Sequence, residues 1–196
     1  MADPSTRDRI LDAAWSEVAE RGMEALTLGG VGARAGLSRQ AVYLHFGNRA
    51  TLLVAMARRI DETSGFRRRV AEARVAPPLE AFRRLLAAWF DYLPTILPVA
   101  LALEAANLTG GDGADAYRER MQDWWEAIRL AIDRLEAAGV LAAQWSAERA
   151  ADWTWGSVHP ATFHHLVDER HWSPADAALH LTGELERTLL ASVPGG

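Results

Sequence analysis

Polar side chains able to contact nucleic-acid bases and phosphates are concentrated between Thr27 and Arg49. Arg39 and Gln40 are adjacent, and in the major groove arginine bonds guanine O6 and N7 whereas glutamine bonds adenine N6 and N7. The polar tips of tyrosine and histidine suit phosphate oxygens, as do a threonine or an arginine at a helix end. The residues expected to contact DNA are therefore Thr27, Ser38, Arg39, Gln40, Tyr43, His45 and Arg49.

Two short helices joined at a glycine would bring these side chains together. Thr27 and Ser38 are residue types preferred at helix N-caps, and Gly36 can end the first helix and permit a tight turn. Gly32, one turn earlier, would let the two helices cross closely. The second helix would run from Arg39 to Phe46 with its first turn toward base edges, which is the arrangement of a helix-turn-helix. Its apolar residues are expected to share the packing: Val42, Leu44 and Phe46.

The distribution of charge favours a polyanionic partner for this segment. The chain of 196 residues carries 21 basic residues, all of them arginine, and 26 acidic residues, so its net charge is −5. Residues 25–60 contain five arginines and no acidic residue. A solvated helix rich in arginine would have the same composition, but an acid-free segment on an acidic chain is also typical of a surface that binds nucleic acid.

Missing residue types exclude several kinds of chemistry. The chain has no cysteine, which excludes disulfides, thiolate metal sites and cysteine nucleophiles. It has no lysine for a Walker motif, and it contains neither Gly-x-Ser-x-Gly nor His-Glu-x-x-His. We therefore expect no catalytic residue, no metal site, no cofactor and no enzymatic activity. Four histidines are expected to be ordinary core or surface residues: His159, His164, His165 and His180.

Apolar residues recur with helical spacing along the whole chain, and no segment reads as a strand. The sequence predicts an all-α protein of about nine helices: three short ones in an N-terminal DNA-binding domain (1–50), then a helical ligand-binding and dimerisation domain (51–196). A connecting helix begins after Asn48, one helix ends near Pro94, and Pro160 should kink the eighth helix. No apolar run approaches the ~18 residues that a membrane span needs, so we expect a cytoplasmic protein.

Aromatic residues are concentrated in the second predicted domain, where seven of the eight tryptophans lie between residues 89 and 172. They could simply fill the core. Together with a few polar side chains, however, they suggest an aromatic pocket for a hydrophobic or planar molecule. Glu104 lies on a nearly apolar helix, so it should either reach solvent or bond a partner. The predicted ligand-binding residues are Trp89, Tyr92, Glu104, Asn107, Trp124, Trp125, Ile128, Trp155, Phe163 and His164.

Residues 5–55 resemble the DNA-binding domain of the TetR family of bacterial transcriptional regulators. The resemblance lies in Thr27, the small-residue helix, Ala35-Gly-Leu-Ser38 and the ending Tyr43-Leu-His-Phe46. Arg49 stands where the family usually has lysine, Ala50 replaces a common acid, and Gly29, Gly30 and Gly32 place three glycines in helix two.

This resemblance implies a homodimer that reads a palindromic double-stranded DNA operator through its third helix and releases it when a small molecule binds. It also implies that the last two helices form the dimer interface. The candidate residues also fit an intrachain core: Phe163, Val167, Leu181, Leu185 and Leu189. The expected function is a ligand-responsive repressor. A helical enzyme or small-molecule carrier, and an activator with the same fold, are the alternatives.

Overall fold

A computed structural model describes residues 5–111 and 113–191, and within these ranges the fold is α-helical. The predicted all-α class is confirmed, and one isolated β-bridge joins Leu141 to Leu190. The chain divides into two compact units, Met1–Thr63 with Ile96–Arg118, and Ser64–Thr95 with Glu119–Gly196. Residues 1–4, 112 and 192–196 of the two predicted domains lie outside the described residues.

The first unit contains the predicted helix-turn-helix. Each of its first four helices has a side-chain cap, and the caps at Thr27 and Ser38 are those that the sequence predicts. The oxygen of Ser5, Thr27, Ser38 or Asn48 accepts a hydrogen bond from the backbone N–H three residues later, which satisfies one of the unpaired donors at a helix start. The helices are α1 (Thr6–Arg21), α2 (Leu28–Ala35), α3 (Arg39–Phe46) and α4 (Arg49–Thr63), with a 3-10 turn at Met23–Ala25.

Gly32 lies where α2 meets the turn that leads into α3. A Cβ atom at this position would stand 3.0 Å from the carbonyl oxygen of Leu37 and 3.2 Å from that of Ser38. The turn itself depends on Gly36, whose φ of +69° lies in the left-handed region that favours glycine. Both glycine roles expected from the sequence are therefore confirmed, and they fix the start of α3 against α2.

Helix α4 belongs to the core of the first unit and does more than connect the two predicted domains. Leu52, Leu53 and Met56 are buried, and the helix packs against α1 and α3. The compact unit therefore continues beyond the expected boundary at residue 50 as far as Thr63.

Two long helices, α6 (Pro78–Thr109) and α7 (Ala114–Ala137), contribute residues to both units. The sequence predicts a break near Pro94, but α6 is continuous over 32 residues. A proline inside a helix costs about 3 kcal/mol. Leu93 and Ile96 are buried on either side of it, and each such side chain contributes about 1.5–3 kcal/mol, which offsets the missing hydrogen bond. The predicted break nevertheless coincides with the boundary between the units after Thr95.

Because α6 is not broken, the expectation that no apolar run approaches the length of a membrane span is wrong. Among the residues that the structure describes, α6 alone is long and apolar enough to cross a bilayer by length and composition. Of its apolar window, 56% is buried within the chain, and the core helix of a soluble protein meets the same criterion.

The second unit contains a helix that the sequence reading missed. α5 (Phe66–Val75) occupies the arginine-rich stretch, where charged residues interrupt the apolar periodicity. Pro160 begins a new helix instead of kinking the eighth one, because proline at the first helical position loses no hydrogen bond. The remaining elements are α8 (Ala147–Ser157), α9 (Pro160–His164), a π-helical segment (His165–Glu169) and α10 (Pro174–Leu189).

The contact at Gly32 predicts opposite effects for two substitutions in the same helix. Gly32→Ala should lower the free energy of unfolding by about 1–3 kcal/mol, because the new methyl group meets backbone atoms that cannot move freely. Gly29→Ala should raise it by up to about 1 kcal/mol, since its nearest neighbour is the Arg39 side chain at 4.0 Å and alanine favours a helix. Urea denaturation followed by circular dichroism measures both, and equal stability of the two variants would contradict the packing role.

Candidate nucleic-acid interface and ligand site

Helix α3 has one buried line of residues and an exposed remainder. Val42 is fully buried and Phe46 is 3% exposed, so they anchor the helix to the first unit. The prediction that Leu44 shares this packing is wrong, because its side chain is 77% exposed. All seven residues expected to contact DNA are exposed: Thr27, Ser38, Arg39, Gln40, Tyr43, His45 and Arg49.

Thr27 and Ser38 combine capping with exposure at the N-termini of α2 and α3. Their hydroxyl oxygens accept hydrogen bonds from the backbone N–H groups of Gly30 and Ala41, at 3.0 and 3.1 Å. A hydroxyl that accepts a hydrogen bond can still donate its own hydrogen. At a helix N-terminus, where the dipole favours negative charge, such a hydroxyl suits a phosphate oxygen.

Arg49 is engaged within the chain, a role that the sequence reading missed. Its Nε donates to the carbonyl oxygen of Leu26 at 3.1 Å, and its Nη2 donates to that of Met23 at 3.0 Å. The guanidinium therefore ties the start of α4 to the turn that precedes Thr27. A planar group with several fixed donors can do this, whereas a lysine ammonium is a flexible point charge.

Two of the five arginines in the acid-free segment are bound to acids of α1. Arg34 contacts the buried carboxylate of Glu17 at 2.8 Å, and also the carboxylate of Glu20. Arg59 binds Asp12 at 2.8 Å, and Asp8 as well. Counting charges within residues 25–60 therefore overestimates the positive charge available to a polyanion, because the neutralising acids precede the segment and reach it only through folding.

The second unit holds a cluster of four aromatic rings, Phe66, Trp89, Tyr92 and Trp124, which we call the aromatic cluster. The Trp89 and Trp124 rings are stacked with centroids 4.2 Å apart, and those of Phe66 and Tyr92 are stacked at 4.3 Å. The sequence reading selected three of these residues for a ligand site and missed Phe66, which lies on the unpredicted helix α5. The structure thus brings together the three rings that the sequence predicts for this site, those of Trp89, Tyr92 and Trp124.

The polar atoms of the aromatic cluster differ in their hydrogen bonding. Trp89 Nε1 donates to the carbonyl oxygen of Val158 at 2.8 Å, and Arg120 donates to the Tyr92 hydroxyl at 3.2 Å. Trp124 is 5% exposed, and its Nε1 has no hydrogen-bond acceptor among the described residues. A buried donor of this kind is stabilised by any acceptor that reaches it, including an oxygen of a bound molecule.

The other residues predicted to line the ligand site in this unit have their own partners. Trp125 donates to Asp152 at 2.8 Å, and Trp155 donates to the carbonyl oxygen of Met121 at 3.3 Å. Ile128 is fully buried, and the ring of Phe163 packs near that of Phe90. The His164 ring bonds the Asp168 carboxylate at 2.7 Å. Within residues 5–111 and 113–191, no group of three or more histidines and acids is arranged to hold a metal ion.

Two predicted ligand residues, Glu104 and Asn107, belong to the first unit. Asn107 accepts a hydrogen bond from Arg118 at 2.8 Å. Burial, together with the negative charge of Glu104, raises the pKa of the Tyr117 phenol above its ordinary value. Both influences disfavour the charged phenolate, so the tyrosine is neutral at neutral pH as an ordinary tyrosine is. Glu104 itself is partly exposed, which is one of the two outcomes expected for a carboxylate on an apolar helix.

Most of the residues expected at a dimer interface are buried within one chain. Phe163, Leu185 and Leu189 are at most 1% exposed, as the alternative of an intrachain core allows. Val167 and Leu181 are partly exposed. Two large apolar side chains outside the predicted set are exposed instead: Trp153 on α8, which is 53% exposed, and Leu179 on α10, which is 69% exposed.

The two hydrogen bonds of Arg49 predict that lysine cannot replace it. Arg49→Lys keeps the charge but loses the planar pair of donors, so we expect a lower melting temperature. We also expect weaker DNA binding with an unchanged dependence on salt concentration, because the number of positive charges is preserved. Thermal unfolding and DNA titrations at several salt concentrations test this. Wild-type values in both would mean that only the charge of Arg49 matters.

Comparison with known proteins agrees with this arrangement. Residues 10–56 match the family described as bacterial regulatory proteins, tetR family. A regulator from Saccharomonospora viridis, solved in complex with choline, is 23% identical with a TM-score of 0.80 and coverage of 94% of this chain and 97% of that chain. SmeT, the repressor of a multidrug efflux pump of Stenotrophomonas maltophilia, is 22% identical with a TM-score of 0.68, covering 98% and 95%. These two structures share the fold.

A more similar relative in sequence is TtgR of Pseudomonas putida, an HTH-type transcriptional regulator. It is 30% identical over 153 residues, which cover 74% of this chain and 73% of TtgR. A match of this length extends well beyond the helix-turn-helix. The chain therefore belongs to the TetR family of bacterial regulatory proteins.

Proposed function

We propose that this protein is a cytoplasmic repressor that binds a palindromic operator as a homodimer and leaves it when a small molecule binds. The observation that carries the proposal is the exposed surface of α3. Arg39 and Gln40 lie in its first turn, and a buried line at Val42 and Phe46 fixes the helix to its unit. Family membership supplies the transcriptional role, and no catalytic step is part of the proposal.

The residues of α3 would divide the work of recognition. Arg39 and Gln40 would read base edges, whereas Tyr43, His45 and the capping hydroxyls of Thr27 and Ser38 would contact phosphates. Phosphate contacts fix the register of the protein on the duplex but carry no sequence information. In a dimer, two copies of α3 would enter successive major grooves, so half-sites would lie about 34 Å apart.

The aromatic cluster is the proposed effector site. The four rings stack on one another, and Trp89, Tyr92 and Trp124 are at most 6% exposed, so a molecule would enter by parting them. It would then meet aromatic faces and the Trp124 N–H as one orienting donor, which suits a hydrophobic or aromatic molecule with a hydrogen-bond acceptor. SmeT, which shares this fold, has been solved with triclosan. A second candidate class is a quaternary ammonium compound, because tryptophan and tyrosine faces attract such cations and the S. viridis regulator was solved with choline.

The dimer would form through α8 and α10. Trp153 on α8 and Leu179 on α10 are exposed apolar residues. Leu181, also on α10, and Val167, in the π-helical segment that precedes α10 in the chain, are partly exposed. A twofold interface uses the same patch of both subunits, so each exposed side chain would be buried twice. Of the five interface residues predicted from the sequence, Val167 and Leu181 remain in the proposed interface. Trp153 and Leu179 are added to it.

The base-reading role predicts that substitutions in the first turn of α3 weaken operator binding, whereas substitution of an exposed arginine in the second unit does not. Selection of duplexes from a random library at ~150 mM salt should enrich a palindrome. On that operator, Arg39→Ala or Gln40→Ala should each cost ~1–3 kcal/mol and relax the preference at one base pair. Arg170→Ala, an exposed arginine of the second unit, should leave binding unchanged. Failure to enrich any sequence with folded protein would refute the proposed function.

Release by an effector requires that the molecule bind the DNA-free protein more tightly. A 100-fold preference corresponds to a coupling free energy of about 2.7 kcal/mol. Tryptophan fluorescence titrations with triclosan and with choline, on free and operator-bound protein, measure this preference. We expect one probe to bind the free protein more tightly and to lose affinity in Trp124→Phe, which keeps an aromatic ring, though a smaller one, and removes the donor. Equal affinity of every bound probe for both states would contradict effector-driven release.

A further inference from the structure

Leu44 is an exposed apolar residue in the last turn of the helix proposed to enter the DNA. Its side chain is 77% exposed, whereas Val42 and Phe46 on either side are buried. Leu44 therefore does not contribute to the core of the first unit. An aliphatic side chain at this place is explained neither by packing nor by helix capping, since α3 ends at Phe46 and its C-cap is Gly47.

The position of Leu44 around the helix axis follows from helical geometry. Successive residues are rotated by about 100°, so Val42 and Phe46 lie about 40° apart around the axis, and the side opposite their midpoint lies about 200° from Val42. Leu44 falls on that opposite side, with Gln40 one turn before it. Tyr43 and His45 lie on the two flanks. The residues farthest from the core are thus Gln40 and Leu44, and they would reach deepest into a groove.

The chemistry of the major groove leaves one partner for such a side chain. Every base pair presents hydrogen-bond donors or acceptors there, and leucine can bond none of them. Thymine also presents its C5-methyl group, which side chains recognise by apolar contact. We propose that Leu44 reads a thymine methyl group in the operator and so determines specificity at one base pair of each half-site. This inference rests on the proposed function.

The neighbouring residue sharpens the assignment. Gln40 lies one turn before Leu44 on the same face, about 6 Å along the helix axis, and base pairs are spaced about 3.4 Å apart. Glutamine prefers adenine, so the thymine read by Leu44 lies within two base pairs of an A·T pair read by Gln40. The two side chains together would give each half-site a short A·T-rich element.

Removal of a single methyl group from the DNA tests the proposal directly. In the operator selected by the wild-type protein, each thymine is replaced in turn by deoxyuridine, which differs only in lacking the C5-methyl group. At one position per half-site we expect affinity to fall about fourfold, the effect of leaving one methyl group unburied. Leu44→Ala should bind the thymine operator more weakly and should lose the difference between thymine and uracil at that position.

Leu108→Ala is the matched control, because it removes a leucine of similar exposure, 79%, from the same unit. It should keep the wild-type penalty for uracil. The inference is overturned if the wild-type protein binds every uracil-containing operator as tightly as the thymine operator, or if Leu44→Ala keeps the penalty. In either case binding to the operator itself still supports the proposed function. If no operator is enriched at all, both the proposed function and the role of Leu44 fail.

Discussion

The close approach of α2 to the turn before α3 is the contact on which the exposed surface proposed to face DNA depends. Gly32 allows it, because a side chain there would meet the backbone of Leu37 and Ser38. Ser38 then caps α3, and the cap sets the first turn in which Arg39 and Gln40 lie. A contact between backbones is more restrictive than one between side chains, which can rotate away. The proposed base recognition would therefore depend on a residue that has no side chain.

Local features of the sequence predicted much of the first unit, and nonlocal contacts account for the errors. N-caps at Thr27 and Ser38 depend on residues three positions apart, so they can be predicted without a fold. The exposure of Leu44 could also have been predicted, since it lies two residues from both Val42 and Phe46 and cannot share their helical face. The partners of Arg34 and Arg59 could not, because their acids lie on α1 and meet them only after packing.

The same distinction applies to the proposed effector site. Trp89, Tyr92 and Trp124 were chosen by composition, and they do meet in one aromatic cluster. Phe66 was missed because the charged residues of α5 obscure its apolar side, and its contact with Tyr92 links separate helices. The continuity of α6 through Pro94 was missed for a related reason. The cost of an interior proline is visible in the sequence, whereas the compensating burial of Leu93 and Ile96 is known only from the fold.

The stacked pair of Trp89 and Trp124 has an optical consequence. Two indole rings 4.2 Å apart and 15° from parallel lie within the range at which their electronic transitions couple. Such coupling is strongest for the intense indole transition in the far ultraviolet, where it gives the circular dichroism spectrum a contribution that neither ring produces alone. This contribution depends on the separation and relative orientation of the two rings. Any movement that separates the two rings changes this contribution, so the circular dichroism spectrum reports whether the aromatic cluster remains packed.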